Sequence, residues 1–243
     1  MARIGIIGSE GRMGKALVEA IAAASESHSG GVDMGGDPLA LARASDVLLD
    51  FSSPRALEAN LDAAMAAGVP IVVGTTGLEE RHHWLCDAAA EHIAVLQTGN
   101  TSLGVTLMAH LVREAASRLG EDWDIEIVET HHRRKVDAPS GTALLLGEAA
   151  AAGRGVTLAE NSVRGRDGIT GARVAGTIGF ASLRGGEVFG DHSVQFLSDF
   201  EHFTLSHRAE NRMLFAQGAM KAAQWLLGKP KGRYTMPEVL GLA

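Results

Sequence analysis

The segment Glu129-Thr130-His131-His132-Arg133-Arg134-Lys135-Val136-Asp137-Ala138-Pro139-Ser140-Gly141-Thr142-Ala143 gathers the residues of this chain best suited to chemistry. His131 to Lys135 are five consecutive residues that are basic or can become so, in a chain of net charge −7. A histidine donates protons near neutral pH, and a lysine beside it attracts an anion and tunes that histidine. Ser140-Gly141-Thr142 falls where a helix is predicted to begin, so its hydroxyls and N–H groups can face a carboxylate. Pro139 fixes the approach to that helix, and Gly141 lets a ligand come close. Cations beside a helix start suit a small polyanion such as a dicarboxylate. The bland alternative is a solvated basic turn. No metal site is expected, because adjacent histidines point in different directions and Arg133, Arg134 and Lys135 repel a divalent ion. His82, His83, His92, His110 and His202 lack a partnering motif, whereas His192 and His207 fall in predicted strands that could line the site.

A second constellation lies near the N-terminus. The apolar run Ile4–Ile7 leads through Gly8-Ser9-Glu10-Gly11-Arg12-Met13-Gly14 into a segment of helical period. Such a loop aims unpaired N–H groups at a bound anion, and its glycines let the backbone approach a pyrophosphate. The spacing GxxGxxG is looser than GxGxxG and also occurs as a plain strand-to-helix turn. Asp33 stands where an acid is expected for the adenosine ribose, or else serves a turn before Gly35-Gly36. Its neighbour Met34 offers no charge to a 2′-phosphate, although Arg12 could; NADH is therefore expected over NADPH. Glu10 is expected to point to solvent. Gly74-Thr75-Thr76-Gly77 follows a predicted strand, so its hydroxyls and backbone could reach the nicotinamide half, or form a simple turn.

These residues need a frame. Strands are predicted at Ile4–Ile7, Val47–Phe51, Ile71–Val73 and Ala94–Gln97, with a weaker one at His28–Asp33. Ser53 and Pro54 read as the cap and first residue of a helix ending at Gly68. Another helix runs to about Glu91. Strands alternating with helices imply right-handed βαβ units and a parallel sheet. After Leu103 the pattern changes: a helix to about Leu119, a strand Trp123–Glu129, a helix from Thr142 to about Ala152, several strands between Asn161 and Ala209, and a helix Arg212–Leu227. The fold class expected is α/β, a Rossmann-type parallel-sheet dinucleotide domain with an inserted α+β mixed-sheet domain.

Composition agrees with a globular chain. Of 243 residues, 46% are apolar and 21% charged, so a sizeable core is available. The acidic balance argues against a nucleic-acid partner. One cysteine, Cys86, excludes an internal disulfide and fits a reducing compartment. The longest nearly apolar stretch, Ala63 to Val73, falls well short of the ~20 residues a membrane span needs. Gly8, Ser9 and Glu10 interrupt the first apolar stretch before it reaches signal-peptide length. A cytoplasmic location and no membrane partner are expected.

The run HHRRKVDAPSGTA, with GRMG at 11–14, DFS at 50–52, GTTG at 74–77 and FAQGAMKAAQWL at 215–226, resembles the 4-hydroxy-tetrahydrodipicolinate reductase (dihydrodipicolinate reductase) family. The resemblance spans essentially the whole chain. It implies NAD(P)H-dependent reduction of a cyclic imine dicarboxylate in lysine and diaminopimelate biosynthesis. It also implies a dinucleotide domain of residues 1–101 and 213–243, a substrate and oligomerisation domain of residues 102–212, and a homotetramer. The two domains would close over the ligands. By resemblance, His131 is the proton donor assisted by Lys135, and His132, Lys135, Gly141 and Thr142 hold the substrate. Gly8, Ser9, Glu10, Gly11, Arg12, Met13, Asp33, Gly74, Thr75, Thr76, Thr98, Gly99, Asn100 and Thr101 would contact the cofactor. Met34 and Thr101 depart from the family pattern, in which some members have an arginine at the first position and phenylalanine is often found at the second. Two rival readings are an aspartate dehydrogenase-like oxidoreductase and a non-catalytic NAD(P)-sensing module.

Overall fold

The computed structural model describes residues 1–242, which separate into two compact units. The first comprises Met1–Leu103 and the residues after Asn211; the second is Gly104–Asn211.

In chain order the first unit begins with β1 (Arg3–Ile7), α1 (Arg12–Ala23), β2 (Ser27–Val32), α2 (Pro38–Ala44), β3 (Val47–Asp50), α3 (Leu57–Ala67), β4 (Ile71–Val73), α4 (Glu80–Ala90) and β5 (Ala94–Gln97). The second unit holds most of α5 (Leu103–Arg118), then β6 (Asp124–His131), α6 (Gly141–Arg154), α7 (Leu158–Asn161), β7 (Ser162–Val163), β8 (Ile178–Arg184), β9 (Asp191–Leu197) and β10 (His202–Arg208). The chain then returns to the first unit as α8 (Met213–Leu226), β11 (Gly232–Tyr234) and α9 (Met236–Val239).

The first unit carries a six-stranded sheet in the order β11-β5-β4-β3-β1-β2, parallel throughout. Helices cover both faces, so β3 and β4 are continuously apolar up to Asp50 and fully buried. On α1, Leu17, Ala20 and Ile21 recur at helical spacing and pack with Ala219, Ala223 and Leu226 of α8 over one face. α3 and α4 cover the other, against Leu48, Ile71 and Val95. Because β2 lies on one side of β1 and β3 on the other, the chain reverses direction at β1. Ligands of open α/β sheets bind beyond the carboxyl ends at such a switch point.

The second unit carries a mixed sheet, β10-β9-β6-β8-β7, with β6 parallel to β8 and antiparallel to β9. Strand β6 alternates, burying Ile125, Ile127, Glu129 and His131 on one face. Helices α5 and α6 cover that face through Met108, Val112, Leu146 and Ala150.

The expected α/β class and mixed second sheet are present, with local corrections. Pro54–Ala56 forms a 3-10 turn before α3, and the Ser53 side chain makes no capping bond. The predicted strand Trp123–Glu129 lies one residue later at its start and runs on to His131, placing that histidine on regular sheet. Helix α2, strand β11 and helix α9 carry no expectation from sequence: each is short, and β11 is a three-residue edge strand with no apolar alternation.

Candidate active site

Alternation along β6 puts Glu129 and His131 on the same buried face, two residues apart. The Glu129 carboxylate, only 1% exposed, lies 2.6 Å from His131 Nδ1. Burial alone would raise this carboxyl, but the Arg184 guanidinium and His131 outweigh it and bring it down to about 2. An ionised carboxylate only accepts, so His131 Nδ1–H is the donor and Nε2 is left as the nitrogen that exchanges protons. Arg184 donates from both terminal nitrogens to the two Glu129 oxygens, each at 2.8 Å. The Ser140 backbone N–H adds a fourth bond, 3.2 Å to Oε1.

A second histidine completes this cluster. His192 of β9 is buried, and its Nε2 lies 3.0 Å from Ser140 Oγ. Burial first, and the neighbouring His131 second, push it down to about 4. It is therefore neutral at physiological pH. The serine hydroxyl also accepts from Ala143 N–H at 3.1 Å, capping α6. Gly141 and Thr142 are the first residues of that helix, as expected. His132 and Lys135 follow β6 in a loop, where Lys135 N–H donates to the His132 carbonyl at 3.1 Å. The Lys135 ammonium is paired with both Asp137 oxygens at 2.8 and 2.9 Å. Of the residues predicted from the motif, His131 ends β6, His132 and Lys135 lie in the loop after it, and Gly141 and Thr142 begin α6. Sequence reasoning missed Glu129, whose signal is its same-face spacing from His131, and Arg184, which is distant in sequence.

The first unit holds a groove of about 980 Å³ at its switch point, lined among others by Gly8, Gly11, Asp33, Met34, Phe51 and Gly77. Gly8 adopts a positive φ of 87°, and a Cβ there would strike the Phe51 carbonyl. A Cβ on Gly14 would strike the carbonyls of Gly8 and Ser9. The loop is tied to the end of β2: Ser9 Oγ donates to Asp33 Oδ2 at 2.6 Å, and Glu10 N–H to the same oxygen at 3.0 Å. Glu10 itself is exposed. Helix α1 starts with Gly11 as its cap and Lys15 N–H bonded to the Gly11 carbonyl, so the Arg12 and Met13 amides belong to the open first turn. A tight glycine turn, a helix start and an acid just past the end of β2 together fit a dinucleotide.

The remaining predicted cofactor residues lie at neighbouring strand ends. Thr75, beside Gly74 and the exposed Thr76, is buried with its hydroxyl turned inward, 3.1 Å from Asp50 Oδ1. Asp50 also accepts from Ser52 N–H at 3.0 Å, Ser52 Oγ at 2.6 Å and Asn60 Nδ2 at 3.1 Å. Burial pushes its carboxyl up, against those hydrogen bonds. After β5, Thr98 Oγ donates to the Asn100 carbonyl across the exposed Gly99, and Thr101 Oγ donates to the Phe215 carbonyl at 2.7 Å. Threonine at 101 thus ties β5 to α8.

The chain matches two family models, "Dihydrodipicolinate reductase, N-terminus" over residues 2–101 and "Dihydrodipicolinate reductase, C-terminus" over residues 104–240. It is 53% identical to the 4-hydroxy-tetrahydrodipicolinate reductase of Zymomonas mobilis, covering 99% of this chain and 97% of that one. It is 49% identical to the enzyme of the same name from Bradyrhizobium diazoefficiens, with 99% and 98% covered. Among solved structures, a dipicolinate-bound dihydrodipicolinate reductase from Paenisporosarcina sp. TG-14 superposes with a TM-score of 0.79 at 25% identity, covering 98% of each chain. Aspartate dehydrogenase from Thermotoga maritima shares the fold, at 11% identity and a TM-score of 0.52 with 94% of this chain and 98% of that one covered, which does not favour an aspartate dehydrogenase reading. Both halves of one family's model match, and about half of the residues are shared with its curated members: the chain belongs to the dihydrodipicolinate reductase family.

Proposed function

We propose that this chain reduces 4-hydroxy-tetrahydrodipicolinate, through its dehydrated form, to tetrahydrodipicolinate, with His131 as the proton donor. The observation that carries the assignment of roles is the buried Glu129–His131 pair beside the capped start of α6. A bound NAD(P)H supplies a hydride to C4 of the conjugated ring. Addition leaves an electron-rich, enamine-like substrate, which takes a proton from His131 Nε2. Glu129 holds the ring by Nδ1 and offsets its positive charge before that transfer. Lys135, His132 and the Gly141-Thr142 helix start bind the substrate carboxylates, with Lys135 exchanging its Asp137 partner for the ligand.

The first unit is assigned the cofactor. Gly8 to Met13 receive the pyrophosphate, Asp33 the adenosine ribose, and the backbones of Gly74 to Thr76 and Thr98 to Thr101 the nicotinamide half. NADH is proposed as the preferred donor, since exposed Met34 beside Asp33 offers no cation to a 2′-phosphate. A homotetramer and a cytoplasmic location are proposed from family likeness; no described helix is long and apolar enough to cross a membrane. The decisive experiment is NADH and NADPH oxidation, side by side, with substrate generated in situ by the preceding synthase. Substrate-dependent oxidation supports the assignment, and cofactor binding without turnover refutes it in favour of a sensing module.

A further inference from the structure

Arg184 is remote in sequence from the basic motif, yet its Cα pairs in register with that of His131 across the β6–β8 ladder. Its side chain is 21% exposed and donates four hydrogen bonds to three residues. The two terminal nitrogens donate to the two oxygens of Glu129. One of them also donates to the Asp137 carbonyl at 2.6 Å, and the other to the Leu183 carbonyl at 2.6 Å. Asp137 in turn holds the Lys135 ammonium through its side chain. The residues thus form a chain, His131–Glu129–Arg184–Asp137–Lys135, in which one planar guanidinium joins the histidine's carboxylate to the lysine's loop.

We propose that Arg184 is a positioning residue that couples the proton donor to the substrate-binding lysine, so that its loss impairs proton transfer and carboxylate binding together. This rests on the roles of His131 and Lys135 given above. The fork geometry is what makes arginine suited: it satisfies both Glu129 oxygens and still reaches a main-chain carbonyl, which an ammonium cannot do from one point. The charge matters as well. Glu129 is faced by His131 on its own strand, Arg184 and Ser182 on β8, His192 on β9, and the Ser140 amide before α6. With Arg184 removed, Glu129 loses the guanidinium that holds it ionised, and a carboxylate so buried takes up a proton at mildly acidic pH.

The test is kcat across about pH 5 to 9, with dipicolinate affinity by calorimetry, for the intact protein, Arg184→Ala and Arg184→Lys. Arg184→Ala is expected to lose about 10²-fold in kcat, to gain a new acid limb, and to bind dipicolinate about tenfold more weakly. Arg184→Lys keeps the charge but not the fork, so it shows no new acid limb while dipicolinate binding stays weakened. It also serves if Arg184→Ala fails to fold. Wild-type dipicolinate affinity in both variants overturns the coupling, as does an Arg184→Ala pH profile that superimposes on wild type after scaling. Failure of the intact protein to oxidise either cofactor with substrate present refutes instead the function on which the coupling rests.

Discussion

His192 stands edge-on to His131, their ring centroids 5.1 Å apart and their planes 75° apart. Of the two rings, His131 is bonded to the Glu129 carboxylate, whereas His192 lies against Ser140 and stays neutral. The stability consequence has a definite sign. His192 is pushed from 6.5 to about 4, so below pH 6.5 the unfolded chain takes up this proton first. Its contribution to stability is intact above that pH and is lost progressively down to about pH 4, by roughly 3 kcal/mol. Urea unfolding midpoints measured across that window should fall. His192→Gln should remove most of the fall, leaving a smaller part from His207, also held down by burial. An unchanged slope in the variant rules this origin out.

His131→Gln should lower kcat by about 10²–10⁴ with little change in KM, as expected of a general acid. Glu129→Gln should act in the same direction by about 10²-fold, because the ring loses both its anchor and its compensating charge. Steady-state kinetics with synthase-generated substrate decide the matter. Near-normal turnover of either variant contradicts the assigned role.

Lys135→Ala should raise KM for the dicarboxylate about tenfold or more while also lowering kcat. Dipicolinate binding by calorimetry gives an independent reading of the same contact. An unchanged KM together with unchanged dipicolinate affinity would remove Lys135 from carboxylate binding.

Met34→Arg should move the ratio of kcat/KM values for NADPH and NADH about tenfold toward NADPH, since a guanidinium beside Asp33 offers a 2′-phosphate a charge-assisted bond. Met34 is fully exposed, so the substitution has no packing cost. A ratio that does not move places the discriminating group elsewhere.

Asp50 is fully buried, and all four of its hydrogen bonds come from neutral groups. Its carboxyl is pushed up by burial, so ionisation weakens the fold as pH rises through the carboxylate range. Asp50→Asn should therefore leave Tm at neutral pH equal or higher, after Asn60 turns its amide to accept. Asp50→Ala should release Ser52 and Thr75 and weaken cofactor binding about tenfold. Differential scanning fluorimetry with and without NADH reads both effects, and a marked loss of Tm in Asp50→Asn would sink the argument.

Much of this architecture was legible because apolar runs such as Ile4–Ile7 and Ile71–Val73 are short, stop at Gly8 and Gly74, and alternate with segments of helical period. The glycine loop and the basic motif were legible because their spacing is local. What stayed hidden depends on pairing across the sheet. Nothing near His131 in sequence points to Arg184, and His192 was expected only as a strand residue that could line the site; the register of β6 with β8 and β9 brings both alongside. Thr75 shows the opposite limit. Its type and place suggested a hydroxyl for the cofactor, yet the buried Asp50 carboxyl claims that hydroxyl from within.

The order in which the polypeptide emerges during translation gives the split first unit a further significance. Strands β1 to β5 are synthesised before the whole of the second unit, whereas α8, which seals one face of their sheet, and β11, which closes the edge at β5, come after it. At ~5–20 residues per second, the intervening segment occupies the ribosome for roughly 5–20 s. Throughout that interval Ile4, Val47, Leu49 and Leu96 lack their α8 partners and the β5 edge stands open, a template for unwanted pairing. The second unit is contiguous and can close during the wait. Solubility of the newborn chain therefore depends on how quickly the residues beyond Asn211 arrive to cap what was made first.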